Sequence, residues 1–145
     1  MFWRTIIYSL IQTGQTAMNN PVNAILLAGE GQDSRTILGK SKLHLTIHEQ
    51  SLLVKILLAL FDVKAIEKIC IVGSKEKIDK ILDTHLAEYE YPKPLQVIEQ
   101  RDNIFENCET AVAHCVPEFS KSSDEVLPEN QHATFLLLPI DIPFV

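Results

Sequence analysis

The sequence lacks the features by which proteins bind nucleic acids or structural zinc. Lys and Arg number 13 against 19 Asp and Glu, for a formal net charge of −6, and no basic stripe is present. Because phosphate backbones are bound by clustered Lys and Arg, this balance argues against a nucleic-acid partner. The cysteines, Cys70, Cys108 and Cys115, lack C-x-x-C spacing. We therefore expect buried thiols in a reducing cytoplasm rather than a metal site.

The sequence also lacks an apolar run long enough to span a membrane. Its first segment, MFWRTIIYSLIQTGQTAM, is interrupted by Gln12, Gln15 and several hydroxyl residues, and it makes a poor signal peptide. We therefore expect no membrane partner and a cytoplasmic protein. Residues 1–21 are interpreted as a loose N-terminal extension, ahead of a domain over residues 22–145.

Short apolar segments of strand and helix length alternate along the rest of the chain. Strand-like runs lie at 22–28, 66–72, 95–99 and 134–140, with a short extended piece at 43–47. Helical patterns lie at 51–61, 75–90 and 104–116, and a polar connection covers 118–133. Ser74 is the expected N-cap of the second helix. This order predicts an α/β fold with a mainly parallel sheet and helices on both faces.

Three features follow predicted strands directly. Gly29 and Gly31 follow the first strand, Gly73 the second and Asp141 the fourth. Because ligands in such folds bind beyond the carboxyl ends of the strands, we expect these residues to converge on one cleft.

The glycine turn is suited to an anion, because residues without Cβ allow a close backbone approach and their N–H groups bind phosphate oxygens. Arg35 and Lys42, in the polar loop that follows, would neutralise a triphosphate. The alternative is that the two glycines only make a turn. Neither common phosphate motif fits, since Ser34 stands where both a dinucleotide fingerprint and a P-loop need glycine.

The segments LLAGEGQDSR and SKLHLTIHEQSLL resemble the opening of the MobA-like nucleotidyltransferases, which have a Rossmann-like, glycosyltransferase-A type fold. The matching residues are Leu27, Ala28, Gly29, Arg35 and Lys42. Glu30 replaces the second glycine of the family pattern, and the loop to Arg35 is one residue longer.

Two further segments are similar to the same family. LLLPIDIPFV looks like its strand ending in Asp-x-Pro, which implies that Asp141 binds Mg²⁺. RDNIFENCETAV places Asn107 where similar proteins have an Asn at the start of a helix. There Asn107 would cap the helix, the interpretation we favour, or contact the nucleotide.

The resemblance implies transfer of a nucleoside monophosphate from an NTP to a small phosphorylated acceptor, with release of pyrophosphate. Leu27, Ala28, Gly29, Gly31 and Asn107 would bind the nucleotide. Arg35 and Lys42 would both bind it and act in catalysis. The alternative is a non-catalytic or regulatory nucleotide-binding domain of the same fold. The resemblance covers about the first half of a family domain. We therefore expect a truncated domain that, as the 145-residue chain alone, has no catalytic activity and self-associates.

The first prediction concerns Asp141. In the full-length protein, Asp141→Asn should abolish turnover and leave the melting temperature unchanged, because the charge is lost while the shape is kept. Pyrophosphate release and thermal melting measure the two effects. Wild-type turnover in this variant would rule out the metal-binding role.

Overall fold

The computed structural model describes residues 22–30, 41–115 and 134–140. In these ranges the elements are β1 (Val22–Ala28), β2 (Thr46–Ile47), β3 (Gln50–Ser51), α1 (Leu52–Phe61), β4 (Ile66–Gly73), α2 (Lys75–Leu86), β5 (Leu95–Glu99), α3 (Ile104–Cys115) and β6 (Thr134–Pro139). A short 3-10 helix, Lys42–His44, precedes β2. The predicted extension over 1–21 and the predicted connection over 118–133 lie outside the described residues.

Within the described residues, four strands form one parallel sheet in the order β5-β4-β1-β6. Pairing with β4 places Ala28 opposite Gly73, and pairing with β6 places Leu26 opposite Leu138. The chain thus adds two strands on one side of β1 and then returns to its other side, as Rossmann-like folds do. The expected α/β architecture with a parallel sheet is confirmed for this part of the chain.

Helices cover both faces of the sheet because successive residues of β1 point in opposite directions. Ala24 and Leu26 pack in the core that includes the apolar faces of α1 and α2. Ile25 packs on the other face with Cys70 and with Ala111 of α3. All five side chains are at most 1% exposed. Burying one Ile or Leu contributes about 1.5–3 kcal/mol, so β1 holds both layers together.

The second helix is shorter than its sequence pattern predicts. It ends at Leu86 rather than at Glu90. The rings of Tyr89 and Tyr91 lie 5.9 and 5.8 Å from the ring of Phe61, between ring centres. This packing requires the chain to leave the helix, and it outweighs the local helical preference.

Ser74 stands at the N-cap position of α2 but makes no capping hydrogen bond with its side chain. Instead the backbone N–H of Lys75 donates to Glu99 Oε2 at 2.9 Å. Ser74 is therefore the N-cap residue, as expected, but a carboxylate from the neighbouring strand, and not the Ser74 hydroxyl, satisfies this first-turn donor.

The predicted extended piece at 43–47 forms the 3-10 helix and then β2, which pairs with β3 in a hairpin. Its two turn residues, His48 and Glu49, have left-handed backbone angles, with φ of 51° and 65°. Such turns prefer Asn-Gly, so neither residue signals the hairpin in the sequence.

The cysteines follow the expectation for two of the three thiols. Cys70 and Cys115 are buried, whereas Cys108 is only half-buried. A hydrogen bond with Cys115, together with burial, raises the pKa of the Cys70 thiol. Among the described helices, none combines the length and apolar character needed to cross a membrane.

Gly73 allows β4 to end in close contact with β1. A Cβ at this position would lie 2.7 Å from Ile78 Cδ1 and 2.8 Å from the carbonyl oxygen of Ala28. We therefore expect Gly73→Ala to lower the free energy of unfolding by about 1–3 kcal/mol through overpacking. Urea unfolding followed by circular dichroism measures this loss.

Gly29→Ala is the matched control for Gly73→Ala. A Cβ there would meet only side-chain atoms, at 3.3 Å from Asn107 Nδ2 and 3.4 Å from Gln100 Oε1. These distances are longer than the 2.7 and 2.8 Å at Gly73, and neither contact is with backbone, so the loss of stability should be smaller. Equal losses in the two variants would contradict the proposed close contact at Gly73.

Candidate functional site

The carboxyl ends of the strands form one edge of the sheet. Gly29 and Glu30 follow β1 there, Ser74 follows β4 and Gln100 follows β5. At the end of β6, the backbone N–H of Ile140 donates to the carbonyl oxygen of Leu27 at 3.3 Å. Helices α2 and α3 also begin at this edge, so their positive dipole ends lie near it. The expected meeting of Gly29 and Gly73 at one edge is confirmed.

The turn after β1 is held by the side chain of Gln100. The backbone N–H of Glu30 donates to Gln100 Oε1 at 2.8 Å, and Gln100 Nε2 donates to the carbonyl oxygen of Glu30 at 2.9 Å. One amide group therefore satisfies both backbone groups of Glu30. Ala28 is fully buried, so it contributes only backbone atoms to this edge.

Asn107 lies one turn inside α3 and does not cap it. The cap is Asn103, whose Oδ1 accepts a hydrogen bond from the Glu106 backbone N–H at 3.0 Å. The capping role predicted for Asn107 is therefore wrong, because Asn103 directly precedes the first helical residue. Asn107 Oδ1 instead accepts a hydrogen bond from the Arg101 backbone N–H at 2.5 Å.

This bond orients the Asn107 amide. With Oδ1 engaged by the backbone, Nδ2 lies 3.3 Å from the point that a Cβ on Gly29 would occupy. The group at this point is therefore a hydrogen-bond donor beside the glycine. An acceptor such as a phosphate, hydroxyl or carbonyl oxygen matches it chemically.

The carboxylate of Glu30 is paired with α2. Lys77 Nζ donates to Glu30 Oε2 at 2.6 Å, and the Glu30 side chain is 12% exposed. Burial raises the pKa of Glu30, but the hydrogen bond from Lys77, the nearby Ser41 hydroxyl and the charges of Lys77 and His44 outweigh it and lower the pKa. The second carboxylate oxygen, Glu30 Oε1, and the Ser41 hydroxyl are buried and make no hydrogen bond. The carboxylate is thus ionised and neutralised by a lysine.

Lys42 lies close to this ion pair in sequence and in space. It opens the 3-10 helix, is half-buried, and follows Ser41 directly. Because Ser41 and His44 both act on the Glu30 carboxylate, the segment that carries Lys42 lies beside the turn. Gly31, Arg35 and Asp141 lie outside the described residues.

Gln100 and Lys77 were not identified from the sequence. Gln100 directly follows a predicted strand, which is the criterion that identified Gly29 and Asp141, so its position was an available signal. Lys77 stands among other charged residues on the polar side of an amphipathic helix. Nothing in its sequence environment separates it from a solvated lysine.

Comparison with models of known protein families gives no match, and neither does comparison with curated protein sequences.

The Glu30–Lys77 pair predicts an acid-dependent loss of stability. A carboxyl group with a lowered pKa in the folded state stabilises the protein above its unfolded pKa, and the contribution disappears as the pH falls. We expect Glu30→Gln to reduce the free energy of unfolding by about 1–2 kcal/mol at pH 7. The difference should vanish as the pH drops below the ordinary glutamate value of 4.5.

Asp79→Asn provides the control in the same denaturation series. Its exposed pair with Lys75 has a similar N–O distance, 3.0 Å, but side chains that are 44% and 53% exposed. Loss of the Lys75–Asp79 pair should lower the free energy of unfolding by less than about 0.5 kcal/mol at any pH. A Glu30→Gln variant as stable as the wild type at pH 7 would show that the Glu30–Lys77 pair contributes nothing to stability.

Proposed function

We propose that the chain is the nucleotide-binding part of a nucleotidyltransferase of the MobA-like, glycosyltransferase-A type. The observation that supports this most directly is the turn at Gly29 and Glu30. It lies at the carboxyl end of the central strand, beside the first turn of α3 and the donor group of Asn107. The donor of the Asn107 amide lies there beside a residue that has no side chain, and an anionic ligand is able to approach the backbone of such a turn closely.

The proposed roles follow from the chemistry of each group. Backbone donors of the turn and the Asn107 amide bind the nucleotide, while Arg35 and Lys42 neutralise charge as pyrophosphate leaves. Such transfer needs alignment of the acceptor phosphate and stabilisation of charge rather than a covalent intermediate.

Asp141 is the proposed Mg²⁺ ligand. It directly follows Ile140, which is hydrogen-bonded to Leu27 at the end of β1. Mg²⁺ is commonly held by one or two carboxylates together with substrate phosphates, so a single carboxylate that follows Ile140 in the sequence is chemically suited to it. When bound, the ion would offset the negative charge of the phosphates.

The second candidate is a nucleotide-binding domain without catalytic activity. It is favoured by Glu30, which stands where the family pattern has glycine and whose N–H already donates to Gln100. That N–H is therefore not available to a phosphate while the turn keeps this conformation.

The two candidates differ in whether pyrophosphate is released. Titration calorimetry with ATP, GTP, CTP and UTP in the presence of Mg²⁺ measures binding, and a pyrophosphate assay with small phosphorylated acceptors measures transfer. Binding with release supports the transferase, and binding without release from the full-length protein supports the second candidate. Absence of binding for all four nucleotides would reject both.

Asn107 gives a test of the site itself. Asn107→Asp keeps the acceptor for the Arg101 N–H but replaces the donor beside Gly29 with a negative charge. We expect nucleotide affinity to fall at least tenfold, the scale of one hydrogen bond to a charged group. Glu109→Gln, an exposed change on the same helix, is the control and should not reduce affinity. Equal affinity in the Asn107 variant would exclude its donor from the site.

A further inference from the structure

We infer that Gln100 is the positioning residue of the turn at Gly29 and Glu30, holding it in the conformation that binds a ligand. This inference rests on the proposed nucleotide-binding function. Its basis is the pair of hydrogen bonds, at 2.8 and 2.9 Å, that join the Gln100 amide to both backbone groups of Glu30. The two residues are 70 positions apart in the sequence, so the contact ties the turn to a distant part of the fold.

Gln100 is itself held rigidly. Its backbone N–H donates to the carbonyl oxygen of Gly73 at 2.9 Å, which continues the β4–β5 pairing one residue past β5. Strand β4 separates β5 from β1 in the sheet. The Gln100 side chain therefore reaches across the end of β4. Because its backbone is fixed by pairing with β4, its amide fixes the position of the turn.

The two amides beside Gly29 leave little space for a side chain at this position. A Cβ on Gly29 would meet Gln100 Oε1 at 3.4 Å and Asn107 Nδ2 at 3.3 Å, so the glycine lies between two amides. With both backbone groups of Glu30 already satisfied, the turn keeps its shape before any ligand arrives. Ordering a loop on binding costs affinity, and a turn that is ordered beforehand avoids this cost.

Binding both backbone groups of Glu30 requires a donor and an acceptor in one planar group, on a side chain as long as that of glutamine. Glutamate provides only the acceptor when ionised, and asparagine is one methylene shorter. Lys77 holds the Glu30 carboxylate independently of Gln100. Loss of the Gln100 amide should therefore loosen the backbone of the turn without unfolding the sheet edge.

The experiment uses the 145-residue chain with Gln100→Ala, Gln100→Glu and a matched control, Gln96→Ala. Gln96 is an exposed glutamine on the same strand. Hydrogen exchange of the peptide containing Glu30 reports the turn, thermal melting reports the fold, and calorimetry with Mg²⁺ and each of the four nucleoside triphosphates reports binding.

We expect Gln100→Ala to speed exchange at Glu30 and weaken nucleotide binding, each about tenfold, with the melting temperature nearly unchanged. Gln100→Glu keeps the acceptor for the Glu30 N–H, so its rate of exchange at Glu30 should lie between those of Gln100→Ala and the wild type. Its added negative charge should weaken nucleotide binding at least as much as Gln100→Ala does. Gln96→Ala should match the wild type in all three measurements.

Unchanged exchange at Glu30 in Gln100→Ala would overturn the inference, and so would faster exchange with unchanged nucleotide affinity. A fall in affinity that only parallels a fall in melting temperature would also overturn it, since that pattern marks a purely structural residue. If the wild type binds none of the nucleotides, the proposed function fails. The exchange data then decide separately whether Gln100 orders the turn.

Discussion

Strand β1 is constrained on all sides, because it pairs with a strand along each edge and packs against a core on each face. It pairs with β4 along one edge and with β6 along the other, and its residues Ala24, Ile25 and Leu26 are fully buried. No residue of this stretch is able to move without disturbing both layers. The first residues free of this constraint are Gly29 and Glu30. Their position is therefore set by a strand that is paired along both edges and buried on both faces, as a preorganised site requires.

The strand order explains why the two residues of the turn face different partners. The cores of α1 and α2 lie on one face of the sheet, and that of α3 lies on the other. Gly29 faces the amides of Gln100 and Asn107, on the side of α3. The Glu30 carboxylate extends to Lys77 on α2. The turn is thus held from both faces, at the strand where the strand order reverses.

The sequence predicts the architecture well because apolar periodicity reports which side chains are buried. The bounds of β1 and β5 are predicted to the residue, since both are short apolar runs ended by polar or Gly residues. Prediction fails where distant contacts decide. The end of α2 depends on aromatic packing with Phe61, and its cap on Glu99 of another strand. At the site, Gly29 is found from its position after a strand. Its partners come from segments about 70 and 80 residues away, which no local pattern connects.

Glu30 raises an electrostatic question, since it places a carboxylate where the related pattern has glycine. Two like charges 4 Å apart repel by about 4 kcal/mol at an effective dielectric constant of 20, enough to prevent binding of an anion. Lys77 lies 2.6 Å from this carboxylate, so an approaching anion meets a nearly neutral pair. The Lys77 side chain is also 47% exposed, which leaves part of its positive charge open to solvent at this edge. Whether the turn accepts an anion therefore depends on a lysine of α2 as much as on the glycine itself.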